Sequence, residues 1–190
     1  MLTKLDAPIE QINAFTVRIP LQNPLRVFGS LITEREFAFV EVHSNGKVGR
    51  GYGLSRNMPI TPLIERHIAP FLKAQPAGAI RAIWNKVRQS ANMIGEHGVF
   101  ARALALVDIA LWDLHGLLLN EPLWRLLGGA QNNIPLIAIA GYYQDNAVET
   151  LRQQIETLLN AGYRTFKIPF GLDVDLDQQR LTAFREVAGM

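Results

Sequence analysis

Residues 101 to 116 read Ala101-Arg102-Ala103-Leu104-Ala105-Leu106-Val107-Asp108-Ile109-Ala110-Leu111-Trp112-Asp113-Leu114-His115-Gly116, and the chain runs on to Pro122-Leu123-Trp124-Arg125-Leu126-Leu127-Gly128-Gly129. Apolar side chains fall on nearly every side of a helix drawn through the first stretch. Only Arg102, Asp108, Asp113 and His115 interrupt them. A surface helix keeps one polar face, so this one is expected to be buried on most sides, between two packed units. It is predicted to run from about Phe100 to Leu118, with Gly128 and Gly129 as the stop.

Working outward toward the N-terminus, Ile9 to Ile19 and Phe37 to His43 place β-branched and aromatic residues at alternating positions. The second run ends in Ser44-Asn45-Gly46-Lys47, a hairpin signal because Asn-Gly accepts positive φ. Val48 to Tyr52 is then the return strand of an antiparallel meander. Helical periodicity follows over Pro62 to Phe71 and Ala79 to Gln89. Meander plus helices makes an α+β unit.

Beyond Gly129 the pattern changes. Ile134 to Ala140 is a short apolar run, Ala147 to Asn160 a helix, Arg164 to Pro169 a second run and Leu176 to Ala188 another helix. This β-α-β-α order is the repeat of a parallel sheet or barrel. The expected domains are a capping unit over 1–130 and the first two β/α units of a barrel over 131–190. A closed barrel of this kind needs eight strands and about 250 residues. The chain is therefore expected to be truncated after two β/α units.

Composition narrows the function classes. A chain of 190 residues, 48% of them hydrophobic, can bury a core and is not disordered. Its formal charge of +2, from 19 basic and 17 acidic side chains, shows no basic run to track a phosphate backbone, so nucleic acid is not an expected partner. The absence of cysteine excludes disulfides, thiolate metal sites and a cysteine nucleophile. No window reaches about 18 uncharged apolar residues, and Lys4, Asp6 and Glu10 do not read as a leader peptide. A cytoplasmic protein with no membrane contact is expected.

The 101–129 stretch resembles the signature helix and turn of the mandelate racemase and muconate lactonizing branch of the enolase superfamily. The same resemblance extends to Gly49-Arg50-Gly51-Tyr52-Gly53, to the Ile80 to Trp84 helix and to Gly162-Tyr163-Arg164-Thr165-Phe166-Lys167. It implies an N-terminal unit that caps the mouth of a TIM-type barrel, and a magnesium-dependent removal of the proton beside a substrate carboxylate. The metal-binding carboxylates it implies lie beyond residue 190, so no metal ligand is assigned within the chain. Members commonly carry Lys-x-Lys at the end of the second barrel strand. Here the residues are Lys167-Ile168-Pro169. Lys167 is the catalytic candidate, in the role of carboxylate binder, because residues two apart share the inward face of a strand. A proline at 169 transfers no proton, which points away from cycloisomerase and dipeptide-epimerase chemistry and toward an acid-sugar dehydratase or hydroxy-acid racemase, a lyase or an isomerase.

Substrate-binding candidates sit in loops that resemble the family's specificity loops. Leu21 to Leu31 carries Arg26 and Phe28, and Tyr52 to Pro59 carries Tyr52 and Arg56. Guanidinium forks suit planar anions. Tyr142 follows the first parallel strand, where barrel sites gather. The expected partners are a small carboxylate substrate and further copies of the chain, as a homo-oligomer. The alternative is a catalytically inactive fragment serving as an oligomerising or binding module.

Other apparent motifs fail. Asp173-x-Asp175-x-Asp177 lacks the glycine and closing glutamate of a calcium loop, so its acids are expected to start the helix at 176. Gly49, Gly51 and Gly53 precede no helix and do not cradle phosphate. His43, His67, His97 and His115 show no paired-ligand spacing. Asp108 and Asp113 read as structural acids of a buried helix.

Overall fold

The structure, a computed structural model, describes residues 3–27, 30–129, 131, 133–142, 147–171 and 173–189. The alternating N-terminal runs form three strands, β1 (Gln11–Val27), β2 (Ser30–Ser44) and β3 (Lys47–Leu54), in that order across the sheet. Asn45 and Gly46 take φ of 48° and 68°. This turn sets β2 and β3 antiparallel, from Ser44 opposite Lys47 to Phe37 opposite Leu54. β1 continues well past Ile19 although Pro20 and Pro24 interrupt its pattern. An edge strand tolerates proline because some of its N–H groups have no ladder partner.

The predicted helix from Pro62 is instead three short pieces: α1 (Ile60–Leu63), a π-helical turn over Ile64–Ile68 and a 3-10 turn over Ala69–Phe71. Pro70 explains the break, since it cannot donate to a carbonyl four residues back and its ring crowds that turn. Next come α2 (Ile80–Ser90), the long α3 (Val99–Leu119) and the short α4 (Leu123–Leu126). The stop of α3 is Asn120, in the left-handed region at φ 56°, with its N–H on the Gly116 carbonyl. This corrects the assignment of the stop to Gly128 and Gly129: asparagine tolerates the left-handed cap, and Gly128, at φ 75°, follows only α4.

α3 buries Ala103, Val107, Ala110, Leu111 and Leu114 against Ala38, Val40 and Val42 of β2 and the isoleucines of the α1 region. Its contact with β3 is closer than side chains allow. A Cβ at Gly49 would run into the Ala110 carbonyl and Leu114, and one at Gly51 into the Leu106 carbonyl. The alternating glycines are the flat surface on which this helix rests. Asp113 pins the approach by accepting from the Arg50 N–H at 2.8 Å, a structural acid as expected.

The remaining elements are β4 (Ala138–Ile139), α5 (Val148–Asn160), β5 (Phe166–Lys167) and α6 (Val174–Ala188). β4 and β5 are parallel, Ala138 opposite Phe166 and Ile139 opposite Lys167. Ala140, Phe166 and Ile168 pack on Leu151, Ile155 and Phe184 of the helices. α6 begins at Val174, two residues before the expected start, because the Asp173 side chain accepts from the Leu176 N–H at 3.0 Å and caps it. The chain divides into two compact units, Met1–Ile19 with Glu36–Asn132 and Pro20–Arg35 with Asn133–Met190. The hairpin tip 20–35 thus groups with the β/α segment, which no single cut in the sequence can express. Among the described residues no helix is long and apolar enough to cross a membrane.

Candidate active site

Alternation along β5 decides which side chains can meet a ligand. Phe166 and Ile168 point into the helix layer, so Lys167 and its register partner Ile139 face the other way. Tyr142 leaves the C-terminal end of β4, and the Lys167 Nζ donates a hydrogen bond to its hydroxyl. The Tyr142 carbonyl in turn accepts from the Arg26 N–H at 3.1 Å, which brings the hairpin tip to the same place. Two of the sequence candidates, Tyr142 and Lys167, therefore meet within the second unit at the ends of two parallel strands, with the backbone of a third, Arg26, bonded beside them. An exposed ammonium beside a phenol there is a ready receptor for a carboxylate.

Tyr52 and Arg56 belong to the first unit. Tyr52 stands on the outward face of the sheet with its ring stacked on Phe39 at 5.4 Å between centroids. Arg56 and Asn57 take positive φ, 53° and 60°, in a turn that Ser55 holds. The Ser55 N–H and hydroxyl both donate to the Glu36 carbonyl, and the hydroxyl also reaches the Glu36 carboxylate at 2.5 Å. That hydroxyl, with Arg18 beside it, holds the Glu36 carboxyl below the usual range. Arg102 from α3 donates to the Leu54 carbonyl at 3.0 Å. The loop carrying Arg56 is thus clamped at its base, while the guanidinium itself is exposed. Phe28 lies outside the described residues.

Sequence reading missed the groups that hold the converging residues in place. Gln154 of α5 accepts from the Gly141 N–H at 2.8 Å, and Arg180 of α6 donates to the Gly141 carbonyl at 2.6 Å. A signal for Arg180 was present. It falls on the same helix stripe as Leu176, Ala183, Phe184 and Val187, where only an apolar residue or a paired charge belongs.

Among the described residues no three His, Asp or Glu side chains come together to hold a metal ion. The residues present therefore do not fit a magnesium centre, and no chemical step is assigned to one.

The comparisons with known proteins agree with this architecture. A sequence model described as mandelate racemase / muconate lactonizing enzyme, N-terminal domain, matches residues 10–128. The arabinonate dehydratase of Saccharolobus solfataricus is 31% identical over 152 residues, 77% of this chain and 40% of that protein. The 3,6-anhydro-alpha-L-galactonate cycloisomerase of Streptomyces coelicolor is 31% identical over 189 residues, 95% of this chain and 52% of that protein. A racemase structure from Streptomyces coelicolor A3(2) with bound magnesium superposes with a TM-score of 0.88 at 29% identity, over 95% of this chain and 52% of that one. The chain spans about half the length of the proteins it matches. With its antiparallel meander, its buried signature helix and a following parallel β/α segment, the chain belongs to the mandelate racemase and muconate lactonizing enzyme family of the enolase superfamily.

Proposed function

We propose that this chain provides the carboxylate-binding corner of an enzyme that removes the proton next to a carboxylate, acting as an acid-sugar dehydratase or a hydroxy-acid racemase. The observation that carries this reading is the hydrogen-bonded Lys167 and Tyr142 pair at the C-terminal ends of parallel strands. The proton beside a carboxylate is weakly acidic because its removal puts a second negative charge on the same group. A fixed ammonium on the carboxylate stabilises that charge more as it develops than before, which is what lowers a barrier. Lys167 takes the carboxylate, Tyr142 orients the ammonium and donates to the same oxygens, and Arg26 enters from the hairpin tip. Pro169 stands where a second lysine would share the inward face, so the proton is not taken from that position.

The test is α-proton exchange. The full-length protein carrying this chain, incubated in D2O with magnesium and a panel of aldonic and 2-hydroxy acids, is expected to incorporate deuterium next to the carboxylate of at least one of them. Failure across the panel, with the protein folded, overturns the reading. A second reading, a non-catalytic module, draws on the exposed apolar face of the second unit, where Leu136, Ile137 and Ile139 are 67%, 60% and 60% accessible. Self-association without exchange would favour it.

A further inference from the structure

Arg180 is 1% exposed, and nothing in the carboxylate reading uses it. Burying a guanidinium is costly unless its donors find partners, so where they point is informative. Nη2 donates to the Gly141 carbonyl at 2.6 Å, Nη1 reaches the Pro169 carbonyl at 3.4 Å, and Nε has no partner among the described residues. Asp177, one turn earlier on α6, supplies the opposing charge and accepts from the Gly171 N–H at 2.6 Å. One face of α6 therefore grips the chain leaving β4 and the chain leaving β5. Gly141 is held from both sides, its N–H by Gln154 and its carbonyl by Arg180. It also stands at φ 81°, where a side chain would be strained, and a Cβ would strike the Arg180 guanidinium. The next residue is Tyr142, whose hydroxyl meets Lys167.

We propose that Arg180 is a positioning residue: its grip on the Gly141 carbonyl sets the direction in which Tyr142 leaves the strand and so holds the phenol against the Lys167 ammonium. A helix that needed only to pack here would carry an apolar side chain, like Ala183 and Phe184 on the same stripe. The arginine instead aims its donors at two backbone carbonyls, both at strand ends where the candidate site lies. The inference rests on the carboxylate reading for its consequence in binding, and on geometry alone for its effect on the pair.

The experiment uses the full-length protein carrying this chain, with lysines reductively methylated by 13C-formaldehyde and the Lys167 signal assigned by its loss in K167R. The signal is first read without ligand. R180M is expected to move it to the position that Y142F gives, and R180Q, which keeps one donor for the Gly141 carbonyl, part of the way. I155A, a buried change in the same unit that lowers Tm, is expected to leave it in place. Glycolate, the smallest 2-hydroxy acid, is then titrated, and R180M is expected to weaken it about tenfold, equivalent to about 1.4 kcal/mol. A Lys167 signal unmoved in both Arg180 variants, or moved as far in I155A, overturns the proposal. A signal that moves while K167M leaves glycolate binding intact supports the positioning role and defeats the carboxylate reading.

Discussion

The contact between α3 and β3 and the pair β4–β5 solve opposite problems. In the first, backbone meets backbone: Gly49 and Gly51 clear the way for the Ala110 and Leu106 carbonyls, and every residue size is dictated from within. In the second, Leu136, Ile137 and Ile139 stand largely in solvent, while the largest fully buried side chain among the described residues is a charged one, Arg180. A region closed by its own packing keeps its charged side chains out of the core among the described residues. The strands that gather a site do the reverse, placing a buried cation where the strand ends must be held.

This contrast can be broken by mutation, and the largest effect belongs to the glycines. Gly51→Ala is expected to lose about 3 kcal/mol or more, because the intruding methyl meets a helix carbonyl that moves only if α3 lifts. Chemical denaturation measures it. A loss below about 1 kcal/mol would show that α3 yields, contrary to the rigid contact described here. Asp113→Ala leaves the Arg50 N–H without its acceptor and is expected to cost about 1 kcal/mol.

Smaller still is the effect of Asp108. Burial raises its carboxyl above the ordinary value of 3.8, with Arg81 partly opposing. A raised folded value means that the native state binds the proton more tightly than the unfolded chain does. The stabilisation is complete below pH 3.8 and is lost as pH rises through the raised value. Asp108→Asn is therefore expected to be more stable than the parent at pH 7, with the advantage shrinking as the pH is lowered, as followed by Tm across pH. In the 190-residue chain, where Ile139 is 60% accessible, Ile139→Thr is expected to change stability by no more than about 0.5 kcal/mol. A loss as large as that of Gly51→Ala would erase the difference between the two regions.

Local signals carried much of this architecture. The near-continuous apolar surface of residues 101–116 specified a buried helix, Asn45-Gly46 fixed a register, and the shift to β-α-β-α grammar after Gly129 announced parallel pairing. What escaped the reading is long-range. Nothing near Pro20 or Pro24 says that the strand continues, because the tolerance comes from lying at an edge. Nothing near Leu21 to Leu31 says that Arg26 will meet Tyr142, a contact spanning most of the chain. Lys167 and Tyr142 were legible because strand ends are where such sites form. Arg180 was missed because a lone arginine in an amphipathic helix is ordinarily solvated.

The most direct test of the carboxylate corner is Lys167→Met in the full-length protein carrying this chain, with kcat/KM measured on whichever acid exchanges its α-proton. Loss of a charge-assisted hydrogen bond is expected to lower kcat/KM by about tenfold to a hundredfold with Tm unchanged. Unaltered turnover in that variant would contradict the assignment of Lys167 to the substrate carboxylate.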